Sequence, residues 1–535
     1  MLQRGTLYLW WKKNVFAIIF WVLFALSIFV RVWQFPHIPG GFNQDEAAAA
    51  YESYSLLETG QDKWGNPYPA YFPGLGDGQS VLMSYLSVPF IKVFGLSIFS
   101  ARLAELVCGI LMIPLIYLIL REFDRRVALV GVAFVGLTPW HWMLSRWALD
   151  ANILPFFTAL AVFALVKALK TQKKSWILAT LPLFALAFYA YGIAILVLPP
   201  FLLIIAILFY PYWKQQYKTW LVSALIALII GFPFLLYAVK NYVFHANFWW
   251  EKYLPFTSPL LIANRLEQKP GYLMQNVQFS QRGFDDGTIY NTIPGFNVLF
   301  WIVQPFALFG LFWIGQKMLI WWQNRRTQNL PLETIFVVWF LVSLTPLLIF
   351  DVNINRANSL YVPLILIGAY GVVGAYDRLS KYPIAQKMAA AVLSIYFIVQ
   401  VVLFFQVYFY TYNDIIARPN RIGLDQAIAA TPAPTRELPV LITGFPINYS
   451  FVGVYARFDP HQFHTDSDVT NDGSYYQVSR MGQYFLKPEL VQNYAQYYYV
   501  AHRDNHEACV GMRTKITHYY DIEQGLCNTL TAVNN

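Results

Sequence analysis

Long apolar runs, each nearly free of charge and flanked on one side by Lys or Arg, constrain this chain more than any other feature. Runs of about 17–25 such residues are long enough to cross a hydrocarbon core. The first run is 15–32, and Arg4, Lys12 and Lys13 precede it. Excess basic charge stays on the cytoplasmic side, so the N-terminus is expected inside and the loop 33–79 outside. The segment 81–94 is apolar but only 14 residues long, which fits an interfacial or re-entrant element on the outer side. The later runs are 103–120, 127–142, 153–169, 176–191, 193–210, 221–238, 296–314, 334–350, 360–375 and 389–410. They alternate so that the basic turns after Leu120, Leu169, Tyr210, Ile314 and Ala375 all share the inner face. The expectation is an all-α polytopic membrane bundle of roughly eleven to thirteen spans within residues 1–413. Its outer loops, 33–79 and 240–294, hold most of the polar candidates.

Composition agrees. Charged residues make up 13% and the mean hydropathy is +0.43, against about 25% charged in soluble chains. The formal net charge of +9 is a topology signal rather than a sign of a nucleic-acid partner. Gly-rich phosphate loops of the P-loop or Rossmann kind are absent, so nucleotide-driven transport finds no support. No small-residue cleavage site follows the first run, which therefore reads as an uncleaved span. No internal repeat of the kind many secondary transporters carry is visible.

After Tyr412 no run is long enough to span. Residues 439–443 and 497–500 are rich in β-branched and aromatic side chains and read as strands. A small mixed α/β extracytoplasmic domain is expected over 414–535. Cys509 and Cys527 fall in it; an oxidising compartment permits a disulfide there, and their spacing does not decide whether one forms. Cys108 lies in a span, as a small packing residue.

Asp45 and Glu46 follow the first span directly, at the expected outer boundary. Carboxylates there serve either as solvated loop residues or as acid–base groups. Arg146 and Asp150 stand i, i+4 apart in an outer turn, which would place them on one face of a helix. They read as a salt bridge at a helix start, or as a phosphate-binding Arg beside a polar contact. Arg356, in a later outer turn, offers the same forked donors, or an interfacial anchor. His141 is expected to pack rather than to ligate, with substrate contact as its other role. Tyr51, Trp64 and Tyr71 are aromatic faces in or beside the outer loop, and Asp77 is a further polar candidate there. His461 and His464 lie among Asp459, Asp466 and Asp468 but fit no zinc spacing, and Asp285-Asp286-Gly287 is a turn signal.

The stretch FNQDEAAAAYESYSLLETG, starting at Phe42, resembles the first outer loop of the family-39 glycosyltransferases, relatives of the protein O-mannosyltransferases. YFPGLGDGQSVLMSYLSVPFIKVFGLSIFSARLAEL, FDRRVALVGVAFVGLTPWHWMLSRWALDANILPFF and NRANSLYVPLILIGAYG continue the likeness over about residues 1–375. The resemblance implies a GT-C fold with its site facing outward, a polyprenyl-phosphate sugar donor and an inverting displacement. It implies that Asp45 is the catalytic base, with Glu46 beside it in the same motif, orienting or binding acceptor, and Arg146, Asp150 and Arg356 fall within the matching segments. The expected site is thus Asp45 and Glu46 as the catalytic pair, Arg146 and Arg356 at the donor phosphate, and Asp150, Asp77, His141 and Tyr51 as substrate contacts. One departure stands out: many relatives carry Lys-Pro where this chain has Gln79-Ser80. The lysine is a candidate phosphate contact, so either another cation serves here or the donor differs; Lys92 and Arg102 are nearby in sequence.

The expected function is transfer of a sugar from a polyprenyl-phosphate donor to a hydroxyl of a protein, glycolipid or polysaccharide acceptor. The setting is the outer face of the plasma membrane, with no cofactor required and a divalent metal unsupported. A lipid-linked oligosaccharide polymerase or ligase, and a non-catalytic transporter of lipid-linked sugars, are the alternatives. The second would need a polar path across the midplane, and the span centres are almost free of charge.

Overall fold

The computed structural model describes residues 2–74, 78–260, 271–324, 329–349, 351–443, 449–471, 476–502, 513–515 and 522–528. Asp77 and Cys509 lie outside them, so the Asp77 contact and the Cys509–Cys527 pairing fall outside the described residues.

Helices dominate up to residue 416. They are α1 (Leu2–Val32), α2 (Gln44–Thr59), α3 (Leu82–Phe94), α4 (Ile98–Leu120), α5 (Arg125–Leu137), α6 (Pro139–Leu144), α7 (Asp150–Thr171), α8 (Lys174–Phe188) and α9 (Ala194–Leu208). Then come α10 (Tyr210–Gln215), α11 (Tyr217–Val239), α12 (Tyr272–Gln281), α13 (Phe300–Gln323), α14 (Thr334–Val342), α15 (Thr345–Ile349), α16 (Asn358–Arg378), α17 (Pro383–Tyr410) and α18 (Tyr412–Ile416). Among the described residues, seven helices are long and apolar enough to cross a membrane: α1, α4, α7, α11, α13, α16 and α17. Four shorter apolar stretches, including α3, accompany them. Two expected runs are broken. Run 127–142 stops at Leu137, with Thr138 extended before Pro139, because a residue preceding proline is pushed out of the helical region. Run 334–350 is interrupted after Val342 and restarts at Thr345-Pro346.

Small residues let the bundle close up. A Cβ on Gly310 would lie 2.0 Å from the Ile367 carbonyl oxygen, and one on Gly371 1.7 Å from that of Phe306. Glycine is therefore what allows α13 and α16 to touch backbone to backbone, as membrane helices without a hydrophobic drive between them need to do. The outward faces of α11 and α17 expose Leu225, Leu228, Ile229, Val392, Ile395 and Ile398, surface that suits hydrocarbon rather than water. The basic turns converge on one end, where Arg126 pairs with Asp377 at 2.6 Å and Lys167 with Glu122 at 3.0 Å.

The other end carries the sheet domain. Its elements are α19 (Leu424–Ala430), β1 (Val440–Thr443), α20 (Tyr449–Tyr455), α21 (Pro460–Thr465), β2 (Ser467–Asn471), β3 (Tyr476–Met481), β4 (Tyr484–Phe485), β5 (Gln496–His502), β6 (Arg513–Lys515) and β7 (Ile522–Asn528). They form one mixed sheet in the order β2-β3-β4-β1-β5-β7-β6, with β1 parallel to both β4 and β5. A shared apolar cluster joins this domain to α2, with Phe42, Ala47 and Tyr51 packed among Phe451, Val452 and Phe463.

Candidate active site

Asp45 and Glu46 are adjacent, yet they have opposite fates. Asn43 caps α2, its side chain accepting from the Asp45 amide at 2.8 Å, while Glu46 turns back to accept from the Asn43 amide at 3.1 Å. This is a capping box, and it turns Glu46 inward. Both Glu46 oxygens then accept from Arg102, at 2.8 Å each, and Oε1 also accepts from the Ala148 amide at 2.6 Å. The pair is fully buried. Arg102 spends its remaining donors on the carbonyls of Pro36, Pro39 and Gly41. Glu46, expected beside Asp45 in the site, is thus turned away from it and anchors the 33–43 turn.

Asp45, one residue earlier on the helix, faces the other way. It is exposed and lines a cavity of about 230 Å³. Ala48 and Glu52 join it at i+3 and i+7, the spacing of one helix face. The opposite wall is the turn with Asn353, Asn355 and Arg356. That turn is built by side chains of the 240–294 loop: the Ile354 amide donates to Asp286 at 3.0 Å and the Val352 amide to Asn276 at 3.1 Å. Arg356 itself donates to the Asp351 carbonyl at 2.6 Å.

Phe72, Pro73, Gly74, Gly78 and Gln79 add a further wall. Phe72 and Gln79 exchange backbone hydrogen bonds of 2.9 Å, and the Gln79 side chain donates to the Asp45 carbonyl at 3.2 Å. Gly78, at φ +83°, is obligatory here, since a Cβ would sit 2.4 Å from the Phe72 carbonyl oxygen. Asp150 also lines the cavity, and its carboxylate is used from behind: Oδ2 accepts from the Ser80 amide and Oδ1 from its neighbour Ala151, at 2.9 and 2.8 Å.

Lys63 completes the lining. Its Nζ lies 3.0 Å from Glu52 Oε1 and its amide donates to Glu52 Oε2 at 2.9 Å. Burial works against the ammonium, but Glu52, Tyr449 and Asp62 together outweigh it and hold Lys63 charged. Neighbouring Asp62 is pushed up to about 7, by burial first and by the Glu52 charge second, although Asn66 and Trp64 donate to it. A carboxyl raised in this way is a cost to the folded state once ionised. The cost is absent below the ordinary value near 4, grows as pH rises toward about 7, and is constant above. Asp62→Asn should therefore flatten the fall in thermal midpoint between those limits, read by unfolding scans across pH; an unchanged profile would contradict the assignment.

A second cavity, about 880 Å³, is lined by His37 and Gly41 of the 33–43 turn and by Tyr410, Asp414, Asp425 and Arg457 among others.

With this geometry in hand, comparison with known proteins is informative. Residues 79–237 match the family described as dolichyl-phosphate-mannose-protein mannosyltransferase. No curated protein matches the chain. ArnT from Cupriavidus metallidurans, in a crystal structure bound to undecaprenyl phosphate, superposes with a TM-score of 0.57 at 14% identity, over 96% of this chain and 98% of that one. Its apo form gives 0.56 at 13%, over 98% and 100%. The chain has the GT-C glycosyltransferase fold. The apo Archaeoglobus fulgidus oligosaccharyltransferase also matches, with a TM-score of 0.49 at 12% identity, over 84% of this chain and 64% of that one.

Within this GT-C bundle several expected site residues have other tasks. Arg146 is fully buried between helices, and its guanidinium makes five hydrogen bonds, all to the carbonyls of Val30, Arg31, Trp33 and Ile38. It satisfies orphaned carbonyls at the C-terminal end of α1 and lines neither cavity. Arg146 lies in the turn 145–149 that precedes α7, so the expected helical i, i+4 pair with Asp150 does not form. His141 is buried with its Nδ1 2.8 Å from Arg31, which in turn caps the Val135 and Gly136 carbonyls of α5. It packs as the sequence reading expects and lines neither cavity. Tyr51 is fully buried and donates to the Phe458 carbonyl at 3.2 Å, holding the sheet domain on α2. Tyr71 stacks on Tyr237 at 4.3 Å. Asp466 and Asp468 pair with Arg480 rather than with the nearby histidines. Of the two cations expected to replace the missing lysine, Arg102 is consumed by Glu46, and Lys92 is exposed at the end of α3, away from the cavity lining.

The GT-C cavity therefore brings together Asp45, Asp150 and Arg356 from the expected set, and adds Glu52 and Lys63. Among the described residues no group of three His, Cys, Asp or Glu side chains could hold a metal ion.

Proposed function

We propose that this protein transfers a sugar from a polyprenyl-phosphate carrier to a hydroxyl acceptor, with inversion, in the cavity between Asp45 and Arg356. The supporting observation is that an exposed carboxylate on a capped helix and an arginine on a braced turn line one small cavity. Its fold is one in which ArnT binds undecaprenyl phosphate. The acceptor O–H gives its proton to Asp45 while its oxygen forms the new bond to the anomeric carbon. The bond from that carbon to the phosphate oxygen breaks, and the electron pair leaves with the lipid phosphate. Arg356 faces the charge that develops there, with fixed donors that need no reorganisation.

The cavity lies at the end that carries the sheet domain, opposite the basic turns, so we place it on the outer face of the plasma membrane. The acceptor class, whether protein, glycolipid or polysaccharide, follows from what can reach Asp45 from that side. Incubating purified protein with a panel of polyprenyl-phosphate sugars should give acceptor-dependent loss of one donor and release of the lipid phosphate; no consumption of any donor contradicts the proposal. Arg356→Ala should weaken binding of a polyprenyl phosphate roughly tenfold to a hundredfold, the range for a lost hydrogen bond to a charged group. Titration in lipid nanodiscs reads this, and unchanged affinity rejects the phosphate role.

A further inference from the structure

Lys63 enters the cavity from a turn that the sheet domain holds in place. The turn is Asp62-Lys63-Trp64-Gly65-Asn66, closed by the Asp62 carboxylate, which accepts from the Trp64 and Asn66 amides at 2.9 and 2.8 Å. Trp64 projects from it into three aromatic rings of the sheet domain. It stacks on Tyr476 of β3 at 4.3 Å and 22°, and meets Tyr449 of α20 at 5.8 Å and Phe463 of α21 at 5.7 Å. Its Nε1 donates to the carbonyl of Pro73, itself a cavity residue, at 2.8 Å. His464 of α21 reaches the Asp62 carbonyl at 3.0 Å. The Lys63 ammonium lies 5.3 Å from the Trp64 ring centroid and 5.5 Å from that of Tyr449.

We infer that Lys63 supplies the second cationic contact to the phosphate of the lipid donor, and that the sheet domain positions it through Trp64. This rests on the proposed donor reaction and extends it to a residue and a domain. Lys63 and Arg356 are the Lys and Arg among the residues lining the cavity. An ammonium has three donors, and among the described residues Glu52 is its one carboxylate partner within ion-pair distance, which leaves donors for an anion entering the cavity. Its side chain is too buried to swing elsewhere, with the residue 2% exposed. The coordinates of the ammonium are thus set by the turn, and the turn by the aromatic wedge. Trp64 is a positioning residue here, and Tyr476 is its most intimate partner.

The test is a double-mutant cycle on the full-length protein, titrated with a polyprenyl phosphate in nanodiscs, with Arg356→Ala as reference. Lys63→Met should weaken binding by about tenfold or more. Because removing one member of a buried pair strands the other, Glu52→Gln/Lys63→Met serves where the single variant does not fold. Tyr476→Ala should weaken binding several-fold alone and add nothing in the Lys63→Met background, since both act through one contact. Tyr476→Phe, which keeps the stacked ring, should restore wild-type affinity. Lys63→Met binding like wild type, or Tyr476→Ala multiplying its effect, overturns the inference while a weakened Arg356→Ala leaves the donor reaction standing. Failure of wild type to bind the lipid phosphate overturns both.

Discussion

Asp45→Asn is expected to reduce sugar transfer by about 10²–10⁴-fold, the usual contribution of a positioned general base. The same variant should bind a polyprenyl phosphate within about twofold of wild type, because an interaction made only in the transition state lowers kcat without changing ground-state binding. The substitution is nearly isosteric and exposed, and the helix cap that holds it belongs to Asn43 and Glu46, so the fold is untouched. Transfer rates and lipid titrations on one preparation decide the matter. Equal turnover by Asp45→Asn and wild type would remove Asp45 from the mechanism. Lost lipid binding would instead make it a binding residue.

Breaking the Glu46–Arg102 pair should have the largest effect on stability. Arg102→Met leaves a carboxylate with no exposed surface unpaired and strands the carbonyls of Pro36, Pro39 and Gly41. Removing one partner of a buried pair costs about 3–5 kcal/mol, a large part of the roughly 5–15 kcal/mol that a folded protein holds. The expected result is loss of monodisperse protein after solubilisation, or a sharply lower thermal midpoint. Glu46→Leu/Arg102→Met should be milder than Arg102→Met alone, because no charge is then left stranded. Lys92→Met, exposed on α3, should be silent. An Arg102→Met protein melting like wild type would contradict the view that this pair fixes the turn leading into the helix that carries Asp45.

Much of this was legible in the sequence, and what was not has a common physical cause. The apolar runs announced the bundle, and the β-branched runs announced β1 and β5, because both signals are local. Asp45 was legible from its place after the first span. Glu52 also was, in principle, since i+3 and i+7 from Asp45 share its helix face. The fates of Glu46, Arg146 and His141 were not. Arg146 meets carbonyls more than a hundred positions away in the chain, and Glu46 meets Arg102 across 56 positions. No local pattern says whether a guanidinium will find a helix end or a ligand. Lys63 was hidden for a related reason. It reaches the cavity only because three aromatics of the sheet domain seize Trp64, and those lie some four hundred residues on.

The most direct measurement is an experimental structure of the protein with a polyprenyl phosphate bound. The account predicts phosphate density in the cavity beside Asp45, within hydrogen-bond reach of Arg356. Phosphate lodged instead in the larger cavity by His37 and Arg457, with the Asp45 cavity free of lipid, would contradict it.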